Sequence, residues 1–442
     1  MEFLKSMLYS EVQTILQNQE SKTNYTWITE IYYNDVDFIV PLKTVAVIND
    51  RDYENNYSDE IVIHTLIPMG QYEKKIYPNR NNIKIVLKKK QLGEQVSNNV
   101  DYSSTIIVGT YTGLILNEEP SATIGKGNEA DSQDALDLKG FLEIKFQLLD
   151  TNIEKIRTIQ TGGSYNRFKI ENLLKSVLVS VSNGLLKGFS INKPDNDNFI
   201  TQLLIPHGTL LVDLPGFIQN KIGIFNSGLC SYIQDGYWFI NYLYNVNKLD
   251  DRKDTINVIV VPSNKLPNIE RSYKNVNGDI TILVSGNTEF SDDNGINNVV
   301  EGQGARLSNA DKLFDGSGII NKGNKTLMSR AKVNSEFLAY GRESNINFAP
   351  STTNKIQNNS FVQFSAINRR TGGFFKGIWQ SADDTLLKPC TPAKITYCDE
   401  DGIKTIKGIL VSAKYISMMK NGIVGESYNN QAMLTFYVNK IE

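Results

Sequence analysis

Residues 31–90 read IYYNDVDFIVPLKTVAVINDRDYENNYSDEIVIHTLIPMGQYEKKIYPNRNNIKIVLKKK. Short apolar, β-branched runs alternate here with polar turns: Phe38-Ile39-Val40, Val45-Ala46-Val47-Ile48, Ile61-Val62-Ile63 and Ile83 to Leu87. A helix would repeat its apolar positions every three or four residues, whereas these runs have the length and composition of strands. The stretch predicts a strand-rich sheet or barrel, and it carries no catalytic constellation.

The same texture continues along the chain. Thr105 to Val108, Gly113 to Leu116, Asn257 to Val261, Ile280 to Val284, Lys394 to Tyr397, Ile406 to Tyr415 and Ala432 to Val438 read as strands, and Phe141 to Leu148 (FLEIKFQL) alternates cleanly. Asp235-Gly236, Asn277-Gly278 and Asp401-Gly402 are dipeptides that accept the left-handed backbone of a two-residue hairpin. Helical spacing predicts helices only at Glu2 to Gln19, Phe168 to Val181 and about Gly208 to Gln219, the last limited by Pro215. The first of these carries Phe3, Leu4, Met7, Leu8, Val12, Ile15 and Leu16 on one stripe. Polar residues interrupt it, so it predicts a docking helix rather than a signal segment or membrane span.

The fold class expected is mainly β with a few helices. The strand-rich blocks and polar gaps suggest an interleaved division. An N-terminal helix fills 1–25; a first barrel-like domain joins 26–100 with 200–260, and a second joins 101–199 with 356–442. The polar, weakly periodic segment 261–355 reads as an accessory or interaction region. The polar stretch 118–139 reads as a long exposed loop.

With 442 residues the chain has room for two or three cores. Forty-six basic residues against 48 acidic ones leave a net charge of −2, which excludes an electrostatic grip on nucleic acid. Two histidines and three cysteines give a metal site or nucleophile triad almost nothing to draw on. Cys390 and Cys398 lack metal-binding spacing, and the three thiols fit a protein made in a reducing cytoplasm. Forty-eight asparagines suit a chain with many turns.

No motif supplies chemistry. Gly318 to Thr326 resembles a phosphate-binding loop, but Asn324 stands where the lysine is needed. The pairs Glu118-Glu119, Asp383-Asp384 and Glu400-Asp401 are adjacent in sequence, and glycoside hydrolysis needs carboxyls facing across a cleft. No catalytic, cofactor or metal residues are assigned. Lys88-Lys89-Lys90 reads as a solvated strand end. The aromatic hairpin CSYIQDGYWFINYLYN (230–245) is the most distinctive segment. Tyr232, Tyr237, Trp238, Phe239 and Tyr242 are candidate subunit-interface residues; core packing and a sugar or base platform are the other readings.

Two blocks carry a family resemblance. Residues 31–90, with the polar turn Asp52-Tyr53-Glu54 and the aromatic loop Tyr72 to Tyr77, resemble the first domain of the central baseplate hub of contractile-tailed bacteriophages. Residues 200–244 are similar to that family's helix-plus-hairpin region. The hub part of type VI secretion spike proteins is also similar. The resemblance implies two tube-type β-barrels in one chain and a homotrimer that adapts a threefold spike to a sixfold tail tube. It also implies the spike, tube and baseplate wedge proteins as partners, DNA passing without sequence-specific binding, no enzymatic activity, and a place in the virion tail after assembly in the host cytoplasm. A glycan- or receptor-binding tail protein and a tail-associated cell-wall hydrolase are the rival readings.

Overall fold

A computed structural model of the protein describes residues 10–15, 25–34, 36–91, 105–116, 140–182, 184–246, 254–261, 272–276, 278–292, 306–307, 317–322, 325–330, 361–362, 365, 368–369, 372–399, 402–420 and 428–438. Strands dominate, and they gather around two barrel-like units.

The first unit uses β1 (Tyr25–Tyr32), β2 (Phe38–Ile39), β3 (Lys43–Asp52), β4 (Glu60–Pro68), β5 (Ile83–Gln91), β6 (Thr105–Ile115) and β7 (Phe141–Asp150). Its strand order is β2-β1-β5-β6-β7-β4-β3, antiparallel throughout. Period-two alternation turns Trp27, Ile31, Ile63, Ile85, Leu142, Ile144 and Phe146 into one core. Met69 to Asn79 forms a short irregular helical bridge between β4 and β5, and its Tyr72 and Ile76 join that core.

A middle region follows. It contains α1 (Thr151–Thr158), β8 (Gln160–Phe168), α2 (Ile170–Ser182), β9 (Gly188–Ile191), β10 (Ile200–Leu210), α3 (Leu214–Lys221), β11 (Leu229–Gln234) and β12 (Tyr237–Tyr242). Asp150 caps α1 by accepting the backbone N–H groups of Asn152 and Ile153. β8 and β10 form a separate two-stranded ribbon, while β9 lies parallel beside the β11–β12 hairpin.

The second unit uses β13 (Ile256–Val260), β14 (Tyr273–Val276), β15 (Asp279–Asp292), β19 (Gly373–Gln380), β20 (Pro392–Asp399), β21 (Gly402–Met419) and β22 (Tyr428–Val438). Between β15 and β19 lie β16 (Arg306–Leu307), β17 (Ser317–Lys322) and β18 (Lys325–Arg330), a small separate sheet. The order β21-β20-β13-β15-β19-β22 returns to β21, so six strands close a barrel. β13 runs parallel to both of its neighbours, and the other ladders are antiparallel.

One strand joins the two units. The first part of β21, Gly402 to Ile409, pairs with β20; the later part, Ser412 to Met418, pairs with β3. The ladder to β22 shifts register between Leu410 and Ser412, where the strand changes partner. Residues 10–15 are helical, and Ile15 is buried against Ile259 and Leu283 of the second barrel. That docking agrees with the apolar stripe; the remainder of the expected helix lies outside the described residues.

Several expectations need correction. The strands of each unit come from one continuous stretch, 25–150 and 256–438, not from the interleaved division. Consecutive strands pair where they can, and β5 and β6, on either side of the polar stretch, pair with each other. Residues Gly208 to Leu210 still belong to β10, so α3 starts at Leu214 with Pro215 in its first turn. The predicted helix at Phe168 forms from Ile170, because Phe168 finishes β8. Asp399 pairs with Gly402, which moves that hairpin's turn one residue earlier than Asp401-Gly402. Lys322 pairs with Lys325, so the phosphate-loop lookalike is a hairpin between β17 and β18. The long loop 118–139, and most of 261–355 beyond the strands named, lie outside the described residues.

Candidate assembly surface and inter-barrel junction

The aromatic hairpin folds as its turn predicts. Asp235 and Gly236 take φ values of 54° and 81°, and Gln234 pairs with Tyr237 across them. Its aromatic side chains, however, mostly face inward. Tyr232, Trp238 and Tyr242 are buried in the chain's own core, Phe239 is half-buried, and only Tyr237 is exposed. Of the five candidate interface residues, three are therefore used within the subunit. The alternation of β12 puts Trp238 and Ile240 on one face, and Trp238 Nε1 donates to Ser231 Oγ at 2.9 Å.

The hairpin is a brace between the barrels. Tyr53, in the turn just after β3, meets Tyr232 edge-on at 4.8 Å between ring centroids. Ile233 N–H donates to the Tyr57 carbonyl at 2.7 Å. On the opposite side, Gln234 Nε2 donates to the Leu387 carbonyl and Asn241 Nδ2 to the Pro389 carbonyl. Leu387 and Pro389 lie between β19 and β20, so the hairpin holds the first unit's turn and the second barrel's loop at once.

Beside it sits a charge cluster. Asp59 accepts from Arg51 Nε at 2.9 Å, Asn49 Nδ2 at 2.9 Å and Tyr232 Oη at 3.0 Å. Arg51 Nη1 also donates to the Asp384 carbonyl at 2.7 Å, and Lys89 Nζ donates to Asp384 Oδ1 at 2.6 Å. Burial pushes the Asp384 carboxyl upward, but Lys89 and Arg51 outweigh it and hold the group below the ordinary carboxylate range. Burial pushes the Tyr53 and Tyr232 hydroxyls well up, so both are neutral donors. Lys89 also lies over the rings of Tyr25 and Trp27 at 4.7 and 4.8 Å. The lysine run is thus no solvated strand end. Lys88 pairs with Glu30 at 2.6 Å, and Lys89 crosses to the other barrel. Sequence offered no signal for this, because Lys89 and Asp384 are 295 positions apart.

The exposed apolar surface lies elsewhere. The first half of β6 pairs with β5 on one side only; β7 meets β6 from Tyr111 onward. Among the described residues, Thr105 to Thr110 has no ladder partner on its other edge. Ile106 and Ile107 on that segment are each 62 % exposed, and Leu114 further along is 60 % exposed. A free, apolar strand edge is a template for another chain. The run Thr105 to Val108 is the strand its apolar residues predict, and nothing local in it announces the exposure.

Among the described residues no group of three or more His, Cys, Asp or Glu side chains is arranged to hold a metal ion. No helix among them is long and apolar enough to cross a membrane.

No protein-family model matches the sequence, and no curated protein does. Solved structures do resemble the fold. A 43 kDa tail protein of prophage MuSo2 from Shewanella oneidensis matches with a TM-score of 0.47 at 8 % identity, covering 94 % of this chain and 98 % of that one. A tail protein from Neisseria meningitidis matches at 0.43 and 9 % identity, covering 93 % and 96 %. The half-lidded Francisella PdpA–VgrG complex contains a chain matching at 0.41 and 10 % identity, covering 100 % of this chain and 65 % of that one. The matched structures are described as tail proteins and as a PdpA–VgrG complex.

Proposed function

We propose that the chain is a structural hub of a contractile tail baseplate. Three copies form a ring in which two barrels per subunit make six, adapting a threefold spike to a sixfold tube. The observation that supports this reading is two β units in one chain, a seven-strand antiparallel unit and a closed six-strand barrel, spliced through β21 into a continuous sheet. A subunit so built presents two β units joined by one continuous strand. Spike, tube and wedge proteins are the partners of this reading, in the baseplate of a virion assembled in the host cytoplasm. The near-neutral net charge of −2 suits a channel that lets DNA pass without gripping it.

In this reading the work is structural and not enzymatic. The free edge of β6 around Ile106 and Ile107 meets a neighbouring subunit, and Tyr237 at the hairpin tip is the aromatic left for contact. The burial of Tyr232, Trp238 and Tyr242 gives no support to a glycan-binding platform. The test is native mass measurement of the pure chain, alone and mixed with its spike protein, followed by imaging. A trimeric ring with a central pore is expected. A stable monomer at micromolar concentration even with the spike present, or a closed globule, overturns the reading.

A further inference from the structure

The junction between the barrels contains a cavity of about 20 Å³, whose lining includes Trp27, Asn49, Tyr415 and Asn430. Each of these four residues has a buried polar atom without a protein partner: Trp27 Nε1, Asn49 Oδ1, Tyr415 Oη and Asn430 Oδ1. Such atoms are uncommon in folded proteins, and four around one cavity call for a common explanation. Register explains why they meet. Tyr415 lies opposite Asn49 across the β3–β21 ladder, and Ser417, two residues on and on the same face, lies opposite Asn430. Trp27, on β1, lines the same space.

We infer that this cavity binds one structural water molecule that links the two barrels. The donor count fits. Trp27 Nε1 can only donate, and Tyr415 Oη can donate; the two asparagine Oδ1 atoms can only accept. Asn49 is fixed in this sense because its Nδ2 donates to Asp59. A water accepts two hydrogen bonds and donates two, so one molecule satisfies all four atoms. The volume admits a water and excludes an organic ligand. Lys89 and Arg51, both bonded to Asp384 at the same junction, disfavour a metal ion there. Trp27 and Asn49 belong to the first unit, Tyr415 and Asn430 to the second. The water therefore completes a hydrogen-bonded joint across the splice. The inference concerns the joint alone and stands apart from the hub reading.

The decisive experiment is a structure of the unaltered protein at a resolution that shows ordered water. A single spherical peak in hydrogen-bond range, roughly 2.7–3.2 Å, of at least three of the four atoms is expected. An empty cavity, a peak meeting fewer than three of them, or metal-like distances under about 2.5 Å overturns the inference. Solution measurements add a second test. Trp27→Phe keeps an aromatic ring and removes the N–H, and Asn430→Leu removes an acceptor. Each is expected to lower the melting midpoint by about 2–4 °C. Because both act through one water, the double variant should fall little further than the larger single one. Additive falls contradict a shared water.

Discussion

The two β units solve the problem of the open sheet edge in different ways. The second closes on itself, because β21 pairs with both β20 and β22. The first has no described ladder between β1 and β3. A buried hydroxyl pair, Thr29 Oγ1 and Thr44 Oγ1 at 2.8 Å, lies between these strands instead. From the second unit, Tyr428 Oη donates to the Thr44 carbonyl, and β21 covers the β3 edge. Closure in one unit is self-contained; in the other it is lent by the neighbour. The first unit's integrity should therefore depend on the second more than the reverse.

The most damaging test is a proline in the shared strand. Ala413 is buried and pairs with Arg51 on one side and Leu434 on the other. Ala413→Pro removes a ladder donor in a central strand and should cost about 3 kcal/mol or more. Calorimetry should show the first unit losing its cooperative transition together with the second. Two well-separated transitions, with the first unit unchanged, would break the comparison.

A smaller effect is expected from the charge that crosses the junction. Asp384→Asn leaves Lys89 without its partner in a mostly buried setting, and should cost about 2 kcal/mol at neutral pH. The sign of its pH dependence follows from the lowered folded-state value. The ionised carboxylate stabilises the fold above the unfolded value of about 3.9, and that contribution fades as pH falls through the lower folded value. The gap between wild type and variant in urea midpoint should thus be full at pH 7 and narrow in strongly acidic buffer. A gap that widens on acidification contradicts the assignment.

Thr29→Val sharpens the comparison at the seam itself. It removes one hydroxyl of the buried pair and leaves Thr44 Oγ1 without that partner, a cost of about 1–2 kcal/mol. Amide exchange should accelerate in β1 and β3 and hardly at all in β19 and β22. Equal acceleration in both units would mean that the seam is not a local weakness.

The smallest effect on stability should come from Ile106→Lys. The site is exposed, so the subunit's own stability should move by no more than about 0.5 kcal/mol. Assembly should nevertheless weaken, seen as a larger monomer fraction in sedimentation. Unchanged association would remove this edge from the proposed contact.

Much of the fold was legible because its determinants are local. Alternation in Phe141 to Leu148 and the turn at Asp235-Gly236 depend on adjacent residues, and both elements formed as read. The grouping of strands was not legible. Nothing in β3 announces that its outer edge pairs with a strand near the C-terminus. The aromatic hairpin shows the same limit: its period was readable, but whether Trp238 faced a core or a partner depended on Phe189 of β9, about 50 positions earlier, which stacks on it. The exposed edge at Ile106 was hidden for the opposite reason. Its apolar residues look like core residues, and among the described residues the staggered end of β7 leaves that edge unpaired.

The shared strand also imposes a timetable on synthesis. The β3 edge is made early, and the strand that covers it begins at Gly402, about 350 residues later. At roughly 5–20 residues per second, that interval is on the order of 20 to 70 seconds. Throughout it the nascent first unit carries an unpaired edge on the ribosome, beside other copies on the same message. Contacts between unfinished neighbours are therefore a hazard specific to this chain order, and a truncation just before Gly402 would make that transient exposure permanent.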